Sequence, residues 1–452
     1  MEANNNIRRQ LLTVFCTYIG QMSIGYALGW TSAILPKLED EDQSPLQSLL
    51  SESEASLIGS LIYVGAMTAP IITTNLANTK GRKPCLILSG ILNILAYILL
   101  ALSTNLAMIF VGRVIVGSAV GTLLIMNVVY IGEIASTKIR GILLSGAGVA
   151  MTAGTILTYS TGPFITYAAT AYLGLILSLC FLLSLYFIPE SPIFYVLRGD
   201  DSKAKEVLQT LGRVQEMDVV LTSKEYETNY FKQEWKILFT VKDNRRALFI
   251  TASLQILQEA SGILAVVFFS TNIFKLASSS IAPDIATIII GMTQLVGSLI
   301  APLIIEKSRR ILLLLSTALC SLSLALLGAY FYLDGLDYEF ITKIQWLPLA
   351  TLILYFLAYN MGFSVIPSTL AGEMFQLNVR NVGSTFVIFC GWLCGFGVTS
   401  AFGYMVTELG GDITFWIFSG TCAIAFFFTI FYVPETKGQT LTQIQKMLSE
   451  RY

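Results

Sequence analysis

The chain has 452 residues, 54% of them hydrophobic and only 13% charged, with a net charge of −1. An ordinary soluble domain is about 25% charged, so this much apolar surface calls for a bilayer as solvent, and the near-neutral balance argues against nucleic acid as a partner. Histidine is absent, which removes the commonest metal ligand and the commonest general base. With no nucleophile elbow and no metal spacing either, no enzyme, metal or cofactor is expected. The seven cysteines, Cys16, Cys85, Cys180, Cys320, Cys390, Cys394 and Cys422, form no CxxC pair. They read as small buried hydrophobes.

Arg8 and Arg9 precede an apolar stretch from Leu11 to Leu35. That stretch exceeds a signal-peptide core of about 7–15 residues and lacks a cleavage site, so it reads as a first membrane helix with a cytoplasmic N-terminus. A spanning helix needs about 20 mostly apolar residues. Twelve such stretches follow in order: 11–35, 55–77, 85–103, 106–130, 141–165, 168–189, then 247–275, 281–305, 311–333, 345–373, 382–407 and 412–433. On this map the outer loops hold only Lys37, Lys275 and Lys343, Arg113 lies within a helix, and the other 24 of the 28 basic residues fall on one side. That side is the cytoplasm, and it holds both termini.

The segment 190–246 is rich in Lys, Arg, Glu and Asp and separates six spans from six. Short amphipathic helices such as Ser202–Leu211 are expected there. The expected organisation is a bundle at 1–189, a cytoplasmic linker at 190–246, a second bundle at 247–434 and a tail at 435–452. The fold class is therefore all-α and membrane-embedded, with twelve helices in two six-helix bundles.

Three short patterns occur once in each half. Lys80-Gly81-Arg82-Lys83 follows span two, and Lys307-Ser308-Arg309-Arg310 follows span eight. Glu133 with Arg140 follows span four, and Glu373 with Arg380 follows span ten. Pro189-Glu190-Ser191 follows span six, and Pro434-Glu435-Thr436 follows span twelve. Clustered basic residues explain the runs, but not matched Glu-x6-Arg and Pro-Glu pairs in the same order, so a duplication is inferred. Arg82, Lys83, Glu133, Arg140, Glu190, Glu306, Arg309, Arg310, Glu373, Arg380 and Glu435 are candidates for a cytoplasmic charge latch. Arginine forks suit carboxylates, and exposed pairs of about 0–1 kcal/mol each suit a reversible gate. Anchoring of helix ends at the headgroups is the plainer alternative.

With Gly81-Arg82-Lys83, Gly112-Arg113, Glu133…Arg140-Gly141, Pro189-Glu190-Ser191-Pro192, Ser261-Gly262-Ile263 and Pro434-Glu435-Thr436-Lys437-Gly438, the chain resembles the sugar porters of the major facilitator superfamily. Gly29-Trp30-Thr31-Ser32 followed by Leu35-Pro36-Lys37-Leu38 is similar to the first helix of insect facilitated trehalose transporters. The resemblance implies a central cavity, alternating access, a small-molecule sugar substrate, a plasma-membrane location and function as a monomer. It assigns substrate contacts to Gln255, Gln258, Glu259, Gln294, Asn360 and Trp392, and outer shielding to Phe268 and Phe269. Sugar hydroxyls need such partners, because an unpaired buried polar group costs about 1–3 kcal/mol.

The departures matter as well. Gly148, Leu264 and Gly395 stand where relatives carry amides, and Pro367-Ser368 replaces a proline–tryptophan pair. The cavity should be poorer in amides and roomier. Pro367 is a candidate gate hinge, and Arg113 a helix brace. Glu259 replaces a second glutamine; it is either a hydrogen-bonding substitute or a proton-coupling site. Gly25-Tyr26 is followed by Ala27, where the family's proton symporters carry aspartate, which favours facilitated diffusion. A non-transporting sugar sensor and a porter of another polyol or organic solute remain alternatives.

Overall fold

The computed structural model describes residues 2–46, 50–221, 231–277, 281–304, 308–336, 339–376, 379–439 and 441–450. Glu306 of the expected latch lies outside these. Among the described residues, twelve helices are long and apolar enough to cross a membrane. They are, as spans one to six, Ile7–Leu38, Glu52–Thr79, Arg82–Ala101, Leu106–Ile134, Arg140–Phe164 and Tyr167–Phe187. Spans seven to twelve are Lys242–Phe268, Pro283–Ile304, Arg309–Asp334, Leu347–Met374, Arg380–Leu409 and Gly411–Tyr432. Hydrocarbon offers the backbone no hydrogen-bond partner, so an apolar stretch of this length closes its own bonds as a helix. Polar side chains start several of them: Asn105 accepts from the Met108 N–H at 3.0 Å and Ser308 from Ile311 at 3.4 Å.

The chain divides into two units. Unit one comprises Met1–Trp30, Asp42–Gln47 and Leu61–Asn229. Unit two comprises Thr31–Glu41, Ser48–Ser60 and Tyr230–Tyr452. Each unit is built on the same adjacencies. In unit one, span three packs against spans four and six; in unit two, span nine packs against spans ten and twelve.

Small residues set the closest crossings, as expected where backbones meet in lipid. In unit one, a Cβ on Gly25 would overlap the Met151 carbonyl and one on Gly154 would overlap the Met22 carbonyl, so spans one and five touch backbone to backbone. Gly65 and Gly117 do the same for spans two and four. In unit two, Gly391 of span eleven abuts Gln255 of span seven, and Gly297 of span eight abuts Asn360 of span ten. One–five matches seven–eleven, and two–four matches eight–ten, so the duplication inferred from short motifs extends to the packing.

The charged linker places Pro192–Leu197 and Asp201–Thr210 in short helices of unit one. Val196, Ala204, Leu208 and Val220 form a small core under them. Arg213 then reaches back to the end of span four, donating to the Glu133 carbonyl at 2.6 Å and the Ile134 carbonyl at 2.8 Å. These are carbonyls that a helix end leaves without partners.

Candidate functional site

Within unit two, a polar cluster forms where span seven meets span ten. Gln255 Nε2 donates to Gln258 Oε1 at 2.8 Å. Gln258 Nε2 donates to the Tyr359 hydroxyl at 2.9 Å and to the Ser364 carbonyl at 3.0 Å. One turn on, Ser261 donates to the Gln258 carbonyl at 2.6 Å and lies 3.2 Å from the Tyr355 hydroxyl.

Span ten is irregular at this place. Tyr359–Phe363 is a π-helical turn, which widens the helix by about one residue. Ser316 of span nine supports it, donating to the Ala358 carbonyl at 2.7 Å and accepting from the Phe363 N–H at 2.9 Å. A side chain inserted into the helical ladder is a recognised cause of such a break. Pro367 sits in the first turn of the helix that resumes at Ile366. There a missing N–H costs little.

The expected substrate contacts gather here unequally. Gln255 and Gln258 are bonded to each other, and Trp392 follows Gly391, whose Cβ would lie 2.6 Å from Gln255. Asn360 turns its amide onto the Phe356 carbonyl at 2.9 Å. A Cβ on Gly297 would lie 2.8 Å from Asn360. Gln294, a turn before Gly297 on span eight, has a buried Nε2 without a hydrogen-bond partner. Such a donor is suited to a ligand hydroxyl. Glu259 is half-buried beside Gln258 and lies within electrostatic range of Tyr359 and Cys394.

Tyr359 and Ser364 were not anticipated. The signal was present: a tyrosine inside an apolar run needs a partner for its hydroxyl, and it adjoins Asn360. In unit one, a Cβ on Gly148 would meet nothing within 4 Å. Phe268 and Phe269 are buried in unit two; Phe269 packs on Phe402 with ring centroids 4.9 Å apart, and Phe268 lies against Gly59. Ser32 and Thr271 also meet in unit two, hydroxyl to hydroxyl at 3.1 Å.

The charged motifs form one cluster in each unit. In unit one, Arg82 Nε lies 3.2 and 3.1 Å from the two Glu133 oxygens and Nη2 lies 3.0 Å from Oε1, with both side chains about nine-tenths buried. Ser191 donates to the same carboxylate. Glu190 accepts from the backbone N–H of Arg82 at 2.9 Å, Lys83 at 3.1 Å and Ser191 at 2.8 Å. It fits because Gly81, with φ 110°, carries no Cβ to collide with it. Lys83 donates to the Ile188 carbonyl at 2.8 Å.

Unit two repeats the plan. Arg309 pairs with Glu373, Glu435 accepts from the N–H of Arg309 at 3.3 Å and Arg310 at 3.2 Å, and Arg310 donates to the Ile430 carbonyl at 2.6 Å. Here Ser308 replaces glycine and donates to Glu435 itself. Burial pushes the Glu190 carboxyl up despite its three N–H donors. At the more open Glu435, burial also raises the pKa, but donors from Ser308, Lys437, Arg310 and Arg309 outweigh it and hold it below the usual value. Arg140 and Arg380 form no ion pair among the described residues. The Arg140 guanidinium donates to the nearby Ala135 carbonyl at 3.4 Å.

Arg113 is fully buried in unit one. It donates to the Ala27 carbonyl at 3.1 Å and lies 5.3 Å from the centroid of the Trp30 ring. It thus ties span four to span one.

Two repeated bundles of this kind define a polytopic membrane protein of the major facilitator fold. The structure superimposes on the proton:xylose symporter XylE of that superfamily, bound to 6-bromo-6-deoxy-D-glucose, with TM-score 0.78 and 23% identity over 98% of this chain and 100% of that one. It also superimposes on the inward-open conformation of XylE from E. coli, with TM-score 0.79 and 22% identity over 96% and 98%. The family model described as "Sugar (and other) transporter" matches residues 13–448, and the chain belongs to that family.

Among curated relatives, it is 30% identical over 98% of its length to the facilitated trehalose transporter Tret1 of Aedes aegypti, and spans 55% of that protein. It is 30% identical over 98% of its length to Tret1 of Culex quinquefasciatus, spanning 86% of it. With Tret1 of Apis mellifera ligustica the identity is 30% over 97% of this chain and 88% of the relative.

Proposed function

We propose that the protein carries a sugar, a hexose or trehalose, down its gradient across the plasma membrane by alternating access, with both termini cytoplasmic. The observation that carries this is the amide–hydroxyl cluster of Gln255, Gln258 and Tyr359 beside the π-turn of span ten. Irregular backbone within a membrane is tolerated where it is buried in protein or lines a cavity. Such a cluster supplies donors and acceptors for hydroxyls on otherwise apolar helices. In this reading Gln294, Asn360, Glu259 and Trp392 complete the contacts, Phe268 and Phe269 close the outer side, and the two charged clusters form the cytoplasmic gate.

Reconstitution into liposomes with labelled glucose, trehalose, xylose and polyols tests it. Saturable uptake of at least one sugar is expected, and Gln258→Ala should raise KM about tenfold, the effect of losing roughly 1.4 kcal/mol of hydrogen bonding. Uptake should be insensitive to a pH gradient in the wild type and in Glu259→Gln; an imposed gradient driving accumulation only in the wild type would instead establish proton coupling. A folded protein that moves no sugar in the panel overturns the proposal.

Pro367 is the hinge of this reading, because it stands where span ten resumes after the π-turn. Pro367→Ala is expected to change turnover several-fold more than KM. Equal shifts in both, read from initial rates against concentration, would remove that role.

A further inference from the structure

Beside the charged cluster of unit two lies a feature that the gate reading leaves unexplained. A cavity of about 340 Å³ opens beside it, lined by Arg309, Arg380, Glu373, Thr436, Gly438 and Gln439 among others. That volume lies within the range of about 300–1,000 Å³ typical of small-ligand sites. The lining is polar and carries two guanidinium groups against one carboxylate. The carboxylate is already engaged: Glu373 is paired with Arg309, whose Nη1 also lies 3.2 Å from the Thr436 hydroxyl. Arg380 has no acidic partner among the described residues, and its buried Nε has no hydrogen-bond acceptor.

The walls are fixed from several sides. Gln445, on the helix Leu441–Glu450, donates to the Met374 carbonyl at 2.7 Å, and Ile444 and Leu448 of that helix are buried. This satisfies the end of span ten without using either arginine. Gly372 and Gly438 both border the cavity, and a Cβ on either would meet nothing within 4 Å. The first turn of span eleven, which begins at Arg380, has no side-chain cap.

We propose that this cavity is an anion site for a phosphate group, with Arg380 as its main ligand and Arg309 as its second. A guanidinium fork matches phosphate geometry and stays charged at any working pH. An unneutralised arginine held next to an open polar cavity is what such a group would complete. The same chemistry is offered by a phospholipid headgroup and by free phosphate or a soluble phosphomonoester.

The test uses the full chain purified in neutral detergent and measures thermal melting. One arm adds inorganic phosphate or glycerol phosphate, with chloride at matched ionic strength as control. The other arm compares nanodiscs of phosphatidylcholine with nanodiscs containing phosphatidic acid. A saturable rise in melting temperature in the first arm identifies a soluble phosphate. A rise in the second arm alone identifies a lipid headgroup. Arg380→Ala should weaken the effect about tenfold. Gly372→Leu, which fills the cavity and keeps both arginines, should abolish it while melting normally without ligand.

No stabilisation in either arm overturns the proposal. So does a phosphate effect that survives both substitutions, since the ligand would then lie elsewhere. The readout is binding, so it succeeds or fails independently of which solute is transported.

Discussion

Gly25→Ala is expected to lose about 3 kcal/mol or more of stability, the upper end of the cost of overpacking. The new methyl would overlap the Met151 carbonyl, and a backbone atom cannot rotate aside as a side chain can. Spans one and five would have to move apart. That would stretch the bonds from Thr155 to the Gly25 carbonyl and from Thr158 to the Tyr26 carbonyl, each 3.1 Å long. Gly154→Ala should behave alike, because the contact is reciprocal.

The controls are Gly132→Ala and Gly420→Ala, where a Cβ meets nothing within 4 Å. Within a helix that change should be neutral or stabilising by up to about 1 kcal/mol. Monodisperse yield and melting temperature would show the difference. Normal melting of Gly25→Ala would mean that the two helices do not touch as described.

The second expected result separates two ion pairs that are equivalent by sequence. Arg82→Ala should destabilise by about 3 kcal/mol, because it strands Glu133 at a site where both side chains are largely buried. Arg309→Ala should cost about 1 kcal/mol, since its pair with Glu373 is roughly a quarter exposed and closer to the surface regime. Glu133→Gln together with Arg82→Gln should recover part of the loss, because no lone charge is then left inside. Melting of the three variants and the wild type at one salt concentration decides the point. Equal losses for Arg82→Ala and Arg309→Ala would remove burial as the distinguishing factor.

These expectations mark where the sequence speaks and where it falls silent. The twelve spans were legible because each is a long apolar run, a constraint imposed by the bilayer and independent of partners. The repeat was legible because charged residues at helix ends are rare enough to be matched by eye. Which carboxylate meets which guanidinium was not legible. Glu133 lies near Arg140 in sequence, yet its partner is Arg82 of another span, a relation only packing can set. Likewise, Gly25 and Gly154 each look like any membrane glycine until the two helices cross.

At the candidate site, Gln255 and Gln258 were visible as amides one turn apart. Their partner Tyr359 was not, because the π-turn that positions it depends on Ser316 from a neighbouring helix. Glu259 was conspicuous as a charge in a span, but its role depends on the solute and is left to uptake measurements.

The π-turn of span ten also sets the phase of everything after it. An α-helix advances about 100° per residue, so the extra residue in Tyr359–Phe363 rotates the remainder of the span by that amount. Glu373 lies in the last turn of this span and meets Arg309 at the present phase. Deleting one residue from the turn would straighten the helix and swing the carboxylate about a quarter-turn away from its arginine. The length of one irregular turn, deep in the helix, is therefore what keeps a charge pair more than two helical turns away in alignment. Single-residue deletions there should be tolerated far less well than substitutions.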